Sequence, residues 1–128
     1  MKRQEALFVA LCLGTVAFAI GFVLPQITEH AVVQYFPLER RWSFEARPQG
    51  LAMDFYGRLG QAMVAWAIGV IVSLVVVRRI KTPLSERAAG LLTAWALTFT
   101  VLVIMYYAWT LFFRHPTPAP IPDWYRPR

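Results

Sequence analysis

The segment ALFVALCLGTVAFAIGFVL, residues 6–24, contains no charged side chain. About 20 apolar residues are enough for an α-helix to cross the hydrocarbon core of a bilayer. A secretory signal peptide is the competing interpretation, with Lys2 and Arg3 as its basic start and Ala17-Phe18-Ala19 as a cleavage motif. Because the apolar run continues past this motif without a break, we interpret it as a transmembrane helix.

Two further apolar segments follow, one at 60–77 and a longer one at 88–113. Apolar residues make up 58% of the chain and charged residues 16%, whereas about a quarter of an ordinary soluble domain is charged. These features predict an all-α integral membrane protein with a single membrane domain, residues 1–128. Its parts are three transmembrane helices (6–24, 60–77 and 88–113), a long external loop (25–59) and an extended Pro-rich C-terminal tail (114–128).

The lysines and arginines near the short connections predict the orientation. Four of them crowd the connection between the second and third helices, namely Arg78, Arg79, Lys81 and Arg87, and Lys2 and Arg3 lie on the same side. Positive residues favour the cytoplasmic side. We therefore expect a multi-pass protein of a bacterial inner (cytoplasmic or intracytoplasmic) membrane, with a cytoplasmic N-terminus and a periplasmic C-terminus. The net charge of +6 is explained by these signals and by contacts with membrane lipids, and we expect no nucleic-acid partner.

The external loop is long for a connection without structure of its own. Ile27, Ala31 or Val32, and Tyr35 lie at helical spacing with Thr28 as a plausible N-cap, which predicts a short interfacial helix or a kinked extension of the first helix past Pro25. The later part of the loop mixes aromatic residues and arginines, as is typical of headgroup depth. It either lies on the membrane surface or docks a neighbouring subunit.

The tail alternates proline with other residues and therefore favours extended polyproline II structure. It ends in an aromatic pair flanked by charges, which fits an anchor on a partner protein. The residues that we predict to bind a partner are Trp42, Pro118, Pro120, Pro122, Trp124 and Tyr125.

Each apolar segment carries a stripe of small residues at spacings of three and four. Such stripes allow close backbone approach, which is the main source of helix packing in lipid. We expect them to pack the three helices together or to leave one stripe for another subunit. The predicted packing residues are Ala10, Gly14, Ala17 and Gly21 in the first segment, Ala62, Ala65, Gly69 and Ser73 in the second, and Ala89, Thr93, Ala96 and Thr100 in the third.

The residue types of an enzyme or transporter are missing from the apolar segments. They contain no charged residue or histidine that would mark an ion pathway. The chain has no zincin, nucleophile-elbow or phosphate-loop motif, and its single cysteine excludes thiolate metal clusters. We expect neither an enzyme nor a metal site.

Four residues are candidates for contact with a cofactor. His30 and His115 follow the first and third segments, so both are expected at the external interface. There the two are candidates to ligate one haem, pigment or metal ion together, or either one to ligate a pigment held by a partner. Trp66 and Trp95 lie deeper, at positions suited to a lipid, quinone, carotenoid or (bacterio)chlorophyll at a partner interface. Hydrogen-bonded surface histidines and plain aromatic packing are the alternative interpretations, and we expect no cofactor of the chain's own.

The architecture resembles that of small accessory subunits of bacterial energy-transducing complexes, both respiratory and photosynthetic. The likeness consists of small size, three spans and a Pro-rich tail, and it implies a non-catalytic structural role among other integral membrane subunits. Two alternatives remain open: a free-standing membrane assembly factor or regulator, and a pigment-, haem- or quinone-contacting subunit that uses His30 and His115.

Overall fold

The computed structural model describes residues 2–44 and 52–114. In chain order the elements are α1 (Arg3–Thr28), strands β1 (Val33–Phe36) and β2 (Arg41–Phe44), α2 (Phe55–Val77), α3 (Glu86–Trp109) and a π-helical turn (Thr110–Arg114). All three α-helices are long and apolar enough to cross a membrane. The three apolar helices expected from the sequence are therefore present. The proline tail, with Pro118, Pro120, Pro122, Trp124, Tyr125 and His115, lies outside the described residues.

The helices extend beyond the apolar segments that predict them. α1 continues through Pro25 to Thr28, and Glu29 then ends it with a left-handed backbone, at φ 54°. The Thr28 hydroxyl donates a hydrogen bond to the Leu24 carbonyl at 2.8 Å. Thr28 is thus the last residue of a helix, and its predicted role as an N-cap is wrong. α2 begins ahead of its apolar segment and includes Arg58.

A β-hairpin lies where one of the two alternatives predicted an interfacial helix, whereas the other alternative, an extension of the first helix past Pro25, is confirmed. The fold is therefore mostly helical, with a small two-stranded sheet that the prediction of an all-α fold did not include. The two strands pair antiparallel, with Val33 opposite Phe44. Tyr35 also exchanges two backbone hydrogen bonds with Met53, at 3.0 and 2.8 Å, so β1 is paired on both edges. β-branched and aromatic residues favour the pleated strand. Pro37 disfavours the helical conformation of the residue before it, which prevents a helix from continuing.

α1 lies between the other two helices. It packs against both. Within these helices, all of whose residues the structure describes, no Cα atom of α2 comes within 8 Å of a Cα atom of α3. Burial follows this arrangement. Of the residues in the most apolar stretch of each helix, 33% are buried in α1, 17% in α2 and 6% in the third apolar helix. The helices therefore do not form a closed bundle. The backbone of α3 packs against α1 alone, and a side-chain contact reaches α2 at the hairpin end, where the Arg58 guanidinium carbon lies 5.8 Å from the centroid of the Tyr107 ring.

The two ends of the helices differ in their side chains. The basic end holds the start of α1 and the connection from α2 to α3, with Lys2, Arg3, Arg78, Arg79, Lys81 and Arg87. There the Leu84 N–H donates to Glu5 Oε2 at 3.3 Å, which links the connection to α1. The hairpin end holds β1, β2, the start of α2 and the end of α3.

Candidate interaction site

The small-residue stripes of α1 and α2 meet directly. A Cβ atom built on Gly21 would lie 2.6 Å from the Cβ of Ala65, and one built on Gly69 would lie 2.7 Å from the Cβ of Ala17. Ala10 and Ala62 are completely buried. The backbones thus approach as closely as the absence of side chains allows, which is the arrangement that stabilises helix pairs in lipid.

Gly14 and Ser73 complete this interface nearer the basic end. A Cβ at Gly14 would lie 2.5 Å from the Val70 Cγ2 and 3.1 Å from the Trp66 Nε1. Ser73 is buried. Gly14 therefore accommodates larger side chains from α2, whereas Gly21 and Gly69 face other small residues.

The stripe on α3 is looser. Ala96 is buried, but Ala89, Thr93 and Thr100 are only partly covered. The two threonine hydroxyls donate to carbonyls of their own helix, Thr93 to Ala89 at 2.9 Å and Thr100 to Ala96 at 2.8 Å. Since their hydrogen bonds stay within α3, these threonines add no polar link to α1.

A short polar network joins the three helices at the hairpin end. The Gln26 Nε2 donates to the Thr110 hydroxyl at 2.7 Å, and the Arg58 Nη1 donates to the Gln26 Oε1 at 3.2 Å. The Arg58 Nε also donates to Asp54 at 2.7 Å. Thr110 is completely buried and donates to the Tyr107 carbonyl at 2.8 Å. One glutamine of α1 thus links α2 to the end of α3.

Sequence reasoning missed Gln26, Arg58 and Thr110 as a group. The one signal that would have found them is the position of each polar residue near the same end of a different apolar segment. Their pairing itself depends on how the helices are rotated, and the apolar periodicity of an isolated segment does not specify that rotation.

The hairpin is seated against the start of α2. A Cβ at Gly57 would collide with the carbonyl group of Val33 and would lie 2.8 Å from the Val33 nitrogen. The absence of a side chain at Gly57 therefore lets the strand backbone rest directly on the helix.

Aromatic rings connect the hairpin to all three helices. Neighbouring ring centroids are 4.9–6.2 Å apart, which is the normal range for stabilising aromatic pairs. The series runs through Tyr35, Trp42, Tyr56, Phe55, Phe22 and Tyr107. Because it passes from β1 and β2 through α2 and α1 to α3, it gives the hairpin end a continuous aromatic belt.

An open groove of about 430 Å³ lies beside this belt, between the hairpin and α2. Its lining comprises Val32, Val33, Trp42, Phe44, Tyr56, Gly57, Gly60 and Gln61. Trp42, Phe44 and Tyr56 are each more than half exposed. We call this feature the hairpin groove. Of the residues predicted to bind a partner, Trp42 is the one that lies within the described part of the chain.

His30 lies at the edge of the hairpin groove. Its Nδ1 is 2.5 Å from the Thr28 hydroxyl oxygen, and its Nε2 is 3.0 Å from the Gln61 Oε1. Both ring nitrogens therefore have polar neighbours within hydrogen-bonding distance. A haem, pigment or metal ion would have to displace one of them, while His115, the other proposed ligand, lies outside the described residues.

The two tryptophans proposed for cofactor contact have different surroundings. Trp66 is partly buried against α1, where its ring lies over Gly14 and borders an open recess with Thr15, Phe18 and Met63. Trp95 is 49% exposed on α3 and lies beside Phe99, with ring centroids 6.1 Å apart. The structure does not bring the two tryptophans together, because they lie on α2 and α3, whose Cα atoms stay more than 8 Å apart.

Residues 2–44 and 52–114 contain no group of three or more histidine, cysteine, aspartate or glutamate side chains arranged to hold a metal ion. Comparisons of the chain with protein-family models, characterised proteins and solved structures found no match.

Proposed function

We propose that this protein is a non-catalytic accessory subunit of a larger membrane complex, in which it stabilises neighbouring integral membrane subunits. The observation that carries the proposal is the one-sided packing of α3. This helix packs along α1, none of its Cα atoms comes within 8 Å of one in α2, and only 6% of its most apolar stretch is buried. A helix with so little contact inside its own chain has most of its surface available for a neighbouring subunit.

The exposed side chains of α3 are large and varied. They include Leu91, Trp95, Leu97, Val101, Leu102, Ile104, Met105 and Trp109. Lipid alone covers such a surface without requiring any particular shape. A neighbouring helix would gain specific packing against it, and van der Waals packing is a principal source of helix association in membranes.

The hairpin groove supplies a second surface for the same role. Its exposed aromatic residues form an apolar patch at the end of apolar helices, and aromatic residues are enriched in the buried centres of protein interfaces. The polar network and the aromatic belt would hold this surface in place relative to α3. The Pro-rich tail remains part of the proposal as a further attachment.

The proposed location is a bacterial inner membrane, with the basic end in the cytoplasm and the hairpin end in the periplasm. Six of the thirteen lysine and arginine residues, both lysines among them, cluster at the basic end beside the short connection, whereas the other seven, all arginines, are spread over the longer external loop, the start of α2 and the tail. This clustering supports the orientation. The proposed host is a photosynthetic or respiratory electron-transfer assembly, where lipid, quinone, carotenoid or (bacterio)chlorophyll held by the partner would contact Trp95 or the hairpin groove. Support for this host is the architectural resemblance alone.

The test combines purification with crosslinking in native membranes. The full chain is extracted in mild detergent through an affinity tag, with a photo-crosslinking amino acid in place of Ile104 on α3. Ile71 on α2 is the matched control position, because the two side chains are equally exposed, at 60% and 61%. We expect partner proteins in stoichiometric amounts, a crosslink from position 104 to one of them, and a weaker crosslink from position 71.

Recovery of the chain alone, with position 104 crosslinked only to lipid, would contradict the subunit role and favour a free-standing assembly factor or regulator. The absorption spectrum of the purified material distinguishes host complexes, since haem or bacteriochlorophyll bands would identify an electron-transfer assembly.

A further inference from the structure

A cavity of about 460 Å³ opens at the basic end between α1 and α2. Its lining comprises Arg3, Ala6, Leu7, Leu74, Val77 and Arg78. Two guanidinium-bearing side chains, one from each helix, thus border a space whose other walls are aliphatic. The hairpin groove and the recess beside Trp66 have no charged residue in their linings.

The charges around this cavity are predominantly positive. The basic end has six lysine and arginine residues and two acidic ones, Glu5 and Glu86. Glu5 does not line the cavity, and its Oε2 accepts hydrogen bonds from the N–H groups of Lys2 at 2.9 Å and Leu84 at 3.3 Å. Neither Arg3 nor Arg78 forms an ion pair within residues 2–44 and 52–114. Both are exposed and remain available to an anion.

We propose that this cavity binds one anionic phospholipid, with the phosphate held between Arg3 and Arg78 and an acyl chain lying along Leu7 and Leu74. Guanidinium groups form charge-assisted hydrogen bonds with phosphate oxygens. Basic pockets between transmembrane helices on the cytoplasmic side are typical sites for anionic headgroups. The molecule would fill the space between α1 and α2 where Leu7 and Leu74 line the cavity.

The aliphatic walls distinguish a lipid from a soluble phosphate. A free phosphate ion needs only the two arginines, and four apolar side chains beside it would add nothing to its binding. A phospholipid uses both parts of the cavity, because its headgroup meets the charges at the end of the helices while its chain enters the apolar region.

The experiment measures lipid retention by the purified full-length protein with native mass spectrometry. Phosphatidylglycerol and phosphatidylcholine with the same acyl chains are added separately in detergent. We expect phosphatidylglycerol to bind about tenfold more tightly or better, since each basic residue near a headgroup adds roughly 1 kcal/mol. The R3Q/R78Q variant should lose this preference.

The matched control is R79Q/R87Q, which removes the same charge from the same end but leaves the cavity lining unchanged. It should keep the preference for phosphatidylglycerol. An equal loss of the phosphatidylglycerol preference in both double variants would overturn the proposal, because the lipid would then be attracted by the overall charge of this end. No preference for phosphatidylglycerol in the unaltered protein would overturn it as well.

A third variant tests the apolar wall and does not depend on the folding of R3Q/R78Q. Leu74→Trp keeps both arginines but fills part of the cavity, and we expect phosphatidylglycerol binding to weaken by about fivefold, consistent with losing roughly 1 kcal/mol of buried apolar contact. Excess inorganic phosphate should not displace the lipid. Unchanged lipid binding by Leu74→Trp together with displacement by phosphate would replace the lipid site with a simple phosphate site.

Discussion

α1 meets its two neighbours in different ways. Towards α2 it presents glycines and alanines, and the helices approach until backbone atoms are nearly in contact. Towards α3 the covered residues are fewer, and an open apolar recess of about 300 Å³ separates side chains such as Ile20 and Val23 from Phe99 and Val103. The same central helix therefore has one close interface and one loose interface.

The difference shows that a small chain can use one helix surface for internal packing and leave another for contacts with its surroundings. Where the small residues of α1 and α2 meet, the two helices are already in close van der Waals contact and need no further partner. The cavity at the basic end lies outside this stretch. The loose interface leaves α3 dependent on Ala96, on the hydrogen bond from Gln26 to Thr110 and on the aromatic belt. We infer that α1 and α2 form the stable core, and that α3 is the element through which the chain meets its surroundings.

The largest expected effect comes from filling the close interface. Gly21→Leu would force the helices apart, because even a Cβ atom at this position would lie 2.6 Å from Ala65. We expect the free energy of unfolding to fall by about 3 kcal/mol or more, at the upper end for overpacked sites. Unfolding by SDS titration in mixed micelles measures the change. Gly90→Leu on α3 is the control, since nothing lies within 4 Å of its Cβ position, and equal losses in both variants would remove the distinction between the interfaces.

A smaller and more local effect is expected at the seat of the hairpin. Gly57→Ala places a methyl group against the Val33 backbone, so the hairpin should separate from α2 at a cost of about 2 kcal/mol. Trypsin cleavage at the exposed Arg40 should then be at least about tenfold faster, because proteolysis follows the population of the open form. Gly60→Ala has open space at its Cβ position and should be cleaved like the unaltered protein. Unchanged cleavage of Gly57→Ala would show that the hairpin is held elsewhere.

The polar link between α1 and α3 should contribute less. Gln26→Leu and Thr110→Val each remove one side of a partly buried hydrogen bond, and a double-mutant cycle should give a coupling of about 1 kcal/mol. The same cycle with Thr100→Val replacing Thr110→Val should give no coupling, since the Thr100 hydroxyl bonds to its own helix. Zero coupling between Gln26 and Thr110 would mean that this hydrogen bond does not hold α3 to α1.

The smallest effect is expected on the exposed face of α3. Trp95→Leu should change the free energy of unfolding of the isolated protein by less than about 0.5 kcal/mol, as is usual for surface substitutions. Trp66→Leu should cost more, because Trp66 fills the space above Gly14. The same SDS titration compares them. A large loss of stability for Trp95→Leu in the isolated protein would show that α3 is packed more firmly than its exposure indicates. A separate measurement, the amount of the Trp95→Leu variant retained in the host complex, tests whether Trp95 contacts a partner.

Three helices follow directly from the sequence because the signal for each is local. A continuous apolar run of sufficient length has one stable arrangement in lipid, a helix with all its backbone groups bonded internally. The small-residue stripes are also visible, since spacings of three and four place residues on one face of any helix. The sequence alone therefore determined the helices and the residues that are able to pack closely.

Tertiary structure decided which stripes meet, how the loop folds and where polar groups converge. Gly21 faces Ala65 only because α1 and α2 adopt one relative rotation. The same arrangement leaves the backbone of α3 packed against α1 and not against α2. The hairpin depends on pairing Tyr35 with Met53 and on the space above Gly57. Gln26 and Thr110 are distant in sequence, and their hydrogen bond forms only when α1 and α3 are correctly placed relative to each other. That placement is set by packing between helices, which the sequence of one helix does not specify.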